Sequence, residues 1–320
     1  MIHYIRHDNI DFSKWDHCID HSVNGMFYAY SWYLDMTSDN WDALVEDDYC
    51  AVMPLPFRKK LSIKYIYQPF FIQQLGVFST YRLNEGVTER FLEAIPGEFR
   101  FADFNLNTYN LLSDQHPLLR GKGITHELDL ISPYAHLEKR YSANTRRNIK
   151  KARAKKVFVT NAGRPEDIIR AFRQNRGKQG VPFTGKDYGV LKHLIYAGMH
   201  KNMVCLRFAY SSTNNLCAGI VFFKSHHKVV LLFSGSTPEA RNNGAMSLLI
   251  DHFIQEHAGK ELVLDFEGSV DPGLARFYRG FGSEECVFLR IIMNKMPIPL
   301  ESMLDGYRWI KNRCKRQKNA

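Results

Sequence analysis

Two carboxylates stand two positions apart in the stretch LVLDFEGS, Asp265 and Glu267, at the exit of a short apolar run. On a strand, alternate residues share a side, so the pair is expected to project together. A carboxylate beside an incoming amine can take its proton or orient it. The plainer alternatives are a cap on the following helix or a partner for Arg276. Further on, Tyr278 in ARFYRGFG offers a phenol able to protonate a leaving group, or simply a packed ring. Upstream, FSGSTPEARNNGAMSLLIDHFI reads as a strand end at Ser234, a polar loop, and a helix opening near Gly244. Met246, Leu249, Ile250 and Phe253 have helical spacing and belong to a core. The start of such a helix presents free N–H groups and the positive end of the dipole, which suits an anion. Arg241, Asn242, Asn243, Gly244 and Ala245 would form that anion seat, with Gly244 allowing close backbone approach. A plain strand-to-helix loop is the competing description.

A second kind of chemistry is suggested by YSANTRRNIKKARAKK. From Arg146 to Lys156, seven of eleven residues are basic and none is acidic. Ser142 is placed to cap a helix start. At 100° per residue, Arg146, Arg147, Lys150, Lys151 and Arg153 share one broad face, while Thr145, Ile149 and Ala152 make a thin buried stripe. No acidic i,i+4 partner relieves the repulsion. The face therefore suits a phosphate, an RNA backbone or an acidic membrane surface. A merely solvated helix is the alternative.

Composition bounds these readings. The chain has 320 residues, 45% hydrophobic and 13% aromatic content, and a net charge of +10. It is globular rather than disordered, and long enough for two cores. The positive balance points to an anionic partner. Six scattered cysteines show no CxxC spacing and no zinc-like cluster, so no metal is expected and the thiols should lie in a reducing compartment. Neither a signal peptide nor a membrane span is legible, which leads to a cytoplasmic expectation.

The elements that must position these residues follow from periodicity. Short β-branched and aromatic runs predict strands at WDALVED, YCAVMPLPF and IKYIYQPFFIQQLGVF, then at 99–106 and 125–130. A helix is expected over 87–95, and a loop at LLSDQHPLLRGKG. After a boundary near Ser132 the grammar repeats. Helices are predicted at 142–155, 165–176, 187–200, 244–256 and 273–278. Strands are predicted at 203–210, 217–224, 229–234, 262–266 and 286–293. The expected division is 1–132, 133–296 and a basic helical tail, 297–320. Tyr65, Tyr67, Gln68, Gln73 and Gln74, beside predicted strand ends, could line an acceptor cleft or serve as packing.

ARNNGAMSLLIDHFI, LVLDFEGS and ARFYRGFG together resemble the latter half of a GNAT-type acyltransferase. There a loop of pattern Gln/Arg-x-x-Gly-x-Gly/Ala holds a pyrophosphate ahead of a helix. Arg241 to Gly244 match its first four positions, and Met246 stands where Gly or Ala is expected. SANTRRNIKKA is similar to a helix of the Fem-type (FemAB-like) aminoacyltransferases and their bacterial GNAT-like relatives. The resemblance implies a mixed α/β (α+β) fold of two tandem GNAT-like domains, each a mainly antiparallel mixed sheet flanked by helices. It implies transfer of an acyl or aminoacyl group from an activated donor, acyl-CoA foremost, to an amine acceptor. Glu267, Asp265 or Tyr278 would serve the chemistry, Arg241 to Ala245 the donor, and Arg146, Arg147, Lys150, Lys151, Tyr67 and Gln74 the substrate and its phosphates. Two alternatives stand beside it. One is a Fem-type transferase that uses aminoacyl-tRNA to extend a peptidoglycan precursor, although 176–203 is too short for the coiled-coil arm of several such enzymes. The other is a degenerate module that binds RNA or an anionic surface.

Overall fold

The computed structural model describes residues 1–60, 62–175, 183–267 and 272–296. The strands, in chain order, are β1 (Ile2–Ile5), β2 (Trp41–Glu46), β3 (Ala51–Lys60), β4 (Ile63–Tyr67), β5 (Phe78–Ser79), β6 (Phe99–Asn105), β7 (Leu119–Asp129), β8 (Phe158–Thr160), β9 (Val204–Tyr210), β10 (Leu216–Ser225), β11 (Lys228–Ser236), β12 (Val263–Asp265) and β13 (Glu284–Asn294). The helices are α1 (Phe12–His21), α2 (Ser31–Thr37), α3 (Glu85–Glu93), α4 (Tyr134–Lys139), α5 (Ala143–Ala154), α6 (Pro165–Gln174), α7 (Gly185–His200), α8 (Pro238–Asn243), α9 (Ala245–His257) and α10 (Pro272–Arg279). The expected tail helix lies outside the described residues.

The strands join in one path, β1-β2-β3-β4-β6-β13-β7-β12-β11-β10-β9-β8, with β5 on the edge of β3. Pairing is antiparallel except at β4–β6 and β11–β12, so the sheet is mixed and mainly antiparallel. Late strand β13 is inserted between the earlier β6 and β7. That partner explains why β7 reaches back to Leu119, through Gly121 and Gly123, where local composition predicts a loop. Conversely, only Ile63–Tyr67 and Phe78–Ser79 of the aromatic run IKYIYQPFFIQQLGVF with its following Ser79 are strand. Pro54 and Pro56 both lie within β3. Phe57 donates its N–H to Asn40, on the β2 side. The prolines, alternating with Phe57, turn their nitrogen atoms to the opposite edge, in the gap between the β4 and β5 pairings, where no N–H is needed.

Three apolar cores hold the helices to the sheet. One packs α3 against β3, β4, β6 and β13 through Phe91, Phe99, Phe104 and Ile291. A second packs α5, α9 and α10 against one face of β10 and β11 through Ile149, Phe222, Leu249, Phe253 and Tyr278. The third joins α6, α7 and the N-terminal α1 and α2 to the opposite face through Trp15, Phe27, Tyr33, Leu191, Phe208 and Phe223. The N-terminal segment thus rests on strands that lie far from it in sequence. Among the described residues, no helix is long and apolar enough to cross a membrane.

Candidate active site

β11 and β12 pair in parallel for only three residues, Lys228–Val230 against Val263–Asp265. They are linked by the α8–α9 crossover, the connection a parallel pair requires. Beyond Val230, β11 keeps β10 on one side and, among the described residues, gains no strand partner on the other. A bulge accentuates the separation: Val221 faces Phe233 and Phe222 faces Leu231, so Leu232 is an extra residue without a partner. The strands diverge past this point, at the carboxyl ends where ligands of parallel α/β units collect.

A cavity of about 500 Å³ fills the divergence. Leu231 to Ser234 and Ser236 form one wall, Phe266 and Glu267 the other, and Ala240, Arg241, Gly244, Met246 and Ser247 close one end. Asn148 of α5, Phe172 of α6 and Asn175 just after it, and Leu274, Phe277 and Tyr278 of α10 also line it, with Phe183 and Ile250. The open edge of β11 offers backbone hydrogen-bonding groups along this wall.

Of the three candidate catalytic residues, Glu267 and Tyr278 line the cavity and Asp265 does not. The expectation that Asp265 and Glu267 alternate on one strand does not hold. β12 ends at Asp265, and Glu267 adopts a left-handed φ of 53°. Asp265 is buried and accepts hydrogen bonds from the Thr125 hydroxyl and from the Glu267 N–H, the latter at 2.9 Å. Lys228 Nζ lies 3.7 Å from Asp265 Oδ2 and 2.6 Å from Glu127 Oε1. Burial pushes the Asp265 carboxyl above its usual range, outweighing the Lys228 ammonium. Asp265 is therefore a brace under the site.

Glu267 sits on the cavity wall, enclosed by protein yet with part of its surface open to the cavity. Its Oε1 accepts a hydrogen bond from the Tyr28 hydroxyl. Burial pushes the carboxyl up to about 8, a rise that the Tyr28 hydroxyl opposes and the Asp265 charge supports. Tyr278 is stacked on Phe266 with ring centroids 4.9 Å apart.

The expected polar loop is helix α8, which opens on Pro238, a residue favoured in a first turn. Gly244, at φ 77°, breaks α8 from α9. Asn243 is buried just before α9, its Oδ1 accepting from the Ala245 N–H at 3.0 Å while its Nδ2 lies 3.1 Å from Cys217 Sγ. The first turn thus loses one free N–H to Asn243; Met246 and Ser247, next along, line the cavity. Asn242 gives its carbonyl to Lys155 Nζ at 3.1 Å. Arg241 is exposed at the cavity mouth, with no ion pair among the described residues.

The basic helix forms as its periodicity predicts. Ser142 Oγ accepts from the Thr145 N–H at 3.1 Å, and Thr145, Ile149 and Ala152 are buried. Its cations do not line the cavity; Asn148 does. Arg146 caps α4 through the Lys139 carbonyl at 2.7 Å, and Arg147 donates to Asn144 Oδ1 at 2.7 Å. Lys150 and Lys151 are exposed.

The residues considered for an acceptor cleft lie elsewhere. Tyr67 lines a separate groove, with the Arg58 guanidinium 4.3 Å over its ring. Gln74 is buried and shared between Gln73 and the Thr108 N–H, at 2.7 and 3.1 Å. Gln68 spans Ile72 and Asn105. Gln68 and Gln74 brace a loop through bonds to its backbone, and Gln68 also lines the groove beside Tyr67.

No protein-family model matches the sequence, and no curated protein matches it. Solved structures do. FemX superposes with a TM-score of 0.62 over 94% of this chain and 99% of its own, at 13% identity. L-PGS from Bacillus licheniformis gives 0.52 over 91% and 95%, at 12% identity. The C-terminal domain of a proposed lysylphosphatidylglycerol synthetase from Agrobacterium fabrum gives 0.51 over 89% and 92%, at 10% identity. With its mixed sheet, its splayed parallel pair and these similarities, the chain has a Fem-type, GNAT-like fold.

Proposed function

We propose that the chain is an acyl- or aminoacyltransferase that joins an activated acyl group to an amine within the β11–β12 cavity. The observation that carries this reading is the meeting in one cavity of Glu267, of Arg241, which has no ion pair among the described residues, and of the β11 edge beyond Val230. An extended, amide-bearing donor arm can hydrogen-bond along that edge as an added strand would. Arg241 and the first turn of α9 suit the donor's phosphates. The acceptor nitrogen attacks the carbonyl carbon, a C–N bond forms, and the C–S or C–O bond to the carrier breaks. The amine proton passes to the Glu267 carboxylate, and the leaving thiolate or alkoxide takes up a proton, for which Tyr278 is a nearby donor. Positioning and exclusion of water supply the rest of the acceleration.

The donor we favour is an acyl-CoA. Met246 in the first turn of α9 and the cationic face of α5 favour a second reading, in which the carrier is an aminoacyl-tRNA. The lysylphosphatidylglycerol synthetase name among the structural neighbours is consistent with aminoacyl transfer on this fold.

Calorimetry with acetyl-CoA, alongside Arg241→Ala, tests the donor site. Binding in wild type that weakens about tenfold or more in a folded Arg241→Ala supports it, the size expected for a charge-assisted contact. Equal affinity in both removes Arg241 from the site. Binding of aminoacyl-tRNA without binding of acetyl-CoA would replace the first donor with the second. Glu267→Gln should lower turnover while donor affinity holds; unchanged turnover would remove Glu267 as the base.

A further inference from the structure

Glu267 is tied to the opposite end of the chain. Tyr28, 239 positions earlier, donates its hydroxyl to Glu267 Oε1. Tyr28 lies in a short 3-10 turn, Phe27–Ala29, that is fixed from several sides. The Phe27 N–H donates to Ser225 Oγ at 3.0 Å, and Trp15 Nε1 donates to the Ala29 carbonyl at 2.8 Å. The Phe27 ring stacks on Phe223 with centroids 4.7 Å apart, and the Tyr28 ring packs against Phe27 and Tyr33 at 4.3 and 5.9 Å. Tyr28 is 1% exposed, so its hydroxyl has little freedom to choose another partner.

A buried phenol is most simply satisfied by a backbone carbonyl, as Tyr33 is by Phe71 at 2.7 Å. Tyr28 is instead held on an ionisable carboxyl in the cavity wall. We infer that Tyr28 is a positioning residue for Glu267, fixing one carboxylate oxygen so that the other faces the acceptor amine. The inference rests on the transferase reading above and makes the N-terminal segment part of the active unit. The hydroxyl stabilises the ionised form of Glu267 and so raises the fraction able to take a proton near neutral pH. The other groups bearing on that carboxylate are Tyr33 from α2, Asp265 from β12 with Lys228 and Glu127 behind it, and Arg241 and Tyr278 in the cavity lining.

The test is Tyr28→Phe, which keeps the ring packing and removes the hydroxyl. Two readouts are taken on the full chain. The first is the titration of Glu267, followed by NMR with isotope-labelled glutamate and assigned by comparison with Glu267→Gln. The second is the pH–rate profile with acetyl-CoA or aminoacyl-tRNA, whichever the binding assay selects. The Glu267 midpoint should rise by about one unit. The ascending limb of kcat should move with it, leaving about tenfold less turnover near neutral pH, with donor KM unchanged. Fluorotyrosine at position 28, a stronger donor that fills the same space, should move both readouts the other way. It keeps the test decisive if the phenylalanine variant does not fold. A midpoint that stays put with either replacement, in folded protein, overturns the inference and leaves the transferase reading standing. A midpoint that moves while the pH–rate profile does not overturns Glu267 as the base, and with it the catalytic role of Tyr28.

Discussion

A methyl group on Gly244 would lie 2.3 Å from the backbone oxygen of Asn148, so the basic helix and the turn before α9 touch backbone to backbone. This contact decides what the glycine is for. The sequence suggests room for a donor's phosphates; the structure shows that α5 already occupies the close approach. Gly244 also adopts φ 77°, which side-chain-bearing residues resist. The turn before α9 and the basic helix are thereby packed as one piece, and Asn148 reaches the cavity because of it.

Gly244→Ala should consequently destabilise the fold by about 1–3 kcal/mol from the backbone conformation alone, with the Asn148 clash adding to it. Urea denaturation measures this as a lower midpoint at unchanged slope. Donor affinity should fall as well, because the first turn of α9 must shift away from α5. A variant as stable as wild type would show that α5 can retreat freely, and the rigid-unit description would fail.

The Lys228 ammonium is poised between Asp265 and Glu127, at 3.7 and 2.6 Å. Burial works against its charge, and the two carboxylates outweigh that effect to raise its pKa. Lys228→Met leaves both carboxylates without a counter-charge and should cost about 3–5 kcal/mol, the usual penalty for breaking a buried pair from one side. Lys228→Met combined with Asp265→Asn should recover part of the loss, since the amide oxygen can still accept the Glu267 N–H. Additive losses in the double variant would show that Lys228 and Asp265 are not coupled.

How far this arrangement can be read from sequence depends on the range of the contacts involved. Thr145, Ile149 and Ala152 announce the buried stripe of α5 because their spacing is a property of the helix alone. Arg241, Glu267 and Tyr278 were legible as chemistry-bearing residues at element ends, and they share the cavity. The glycine-bearing first half of β7 was hidden because its regularity comes from β13, a partner late in the chain. Helix α8 was masked by asparagine and proline, although Pro238 in a first turn is itself a start signal. Asp265 and Glu267 look equivalent in LVLDFEGS; the left-handed φ at Glu267 and the lysine beneath Asp265 give them different tasks. Tyr28 could not be found, since nothing local in YAYSWYLD points to a carboxylate so far along the chain.

The elevated pKa of Glu267 has a consequence for stability that is independent of any substrate. In the folded chain the carboxyl titrates at about 8, against a usual value of 4.5. Between those values the folded protein holds a proton that the unfolded chain has released, so unfolding is favoured as pH rises. The contribution of this group is fully present below its unfolded pKa and is lost progressively until about pH 8, above which it levels off. Glu267→Gln abolishes the titration and should flatten that part of the curve. Urea denaturation of both proteins from acid to alkaline pH provides the comparison. Wild type should be nearest to the variant at the acid end and lose ground to it steadily toward the alkaline end. A gap between the two that stays constant across the range would show that Glu267 titrates alike in the folded and unfolded chain, and would remove the basis for its raised proton affinity.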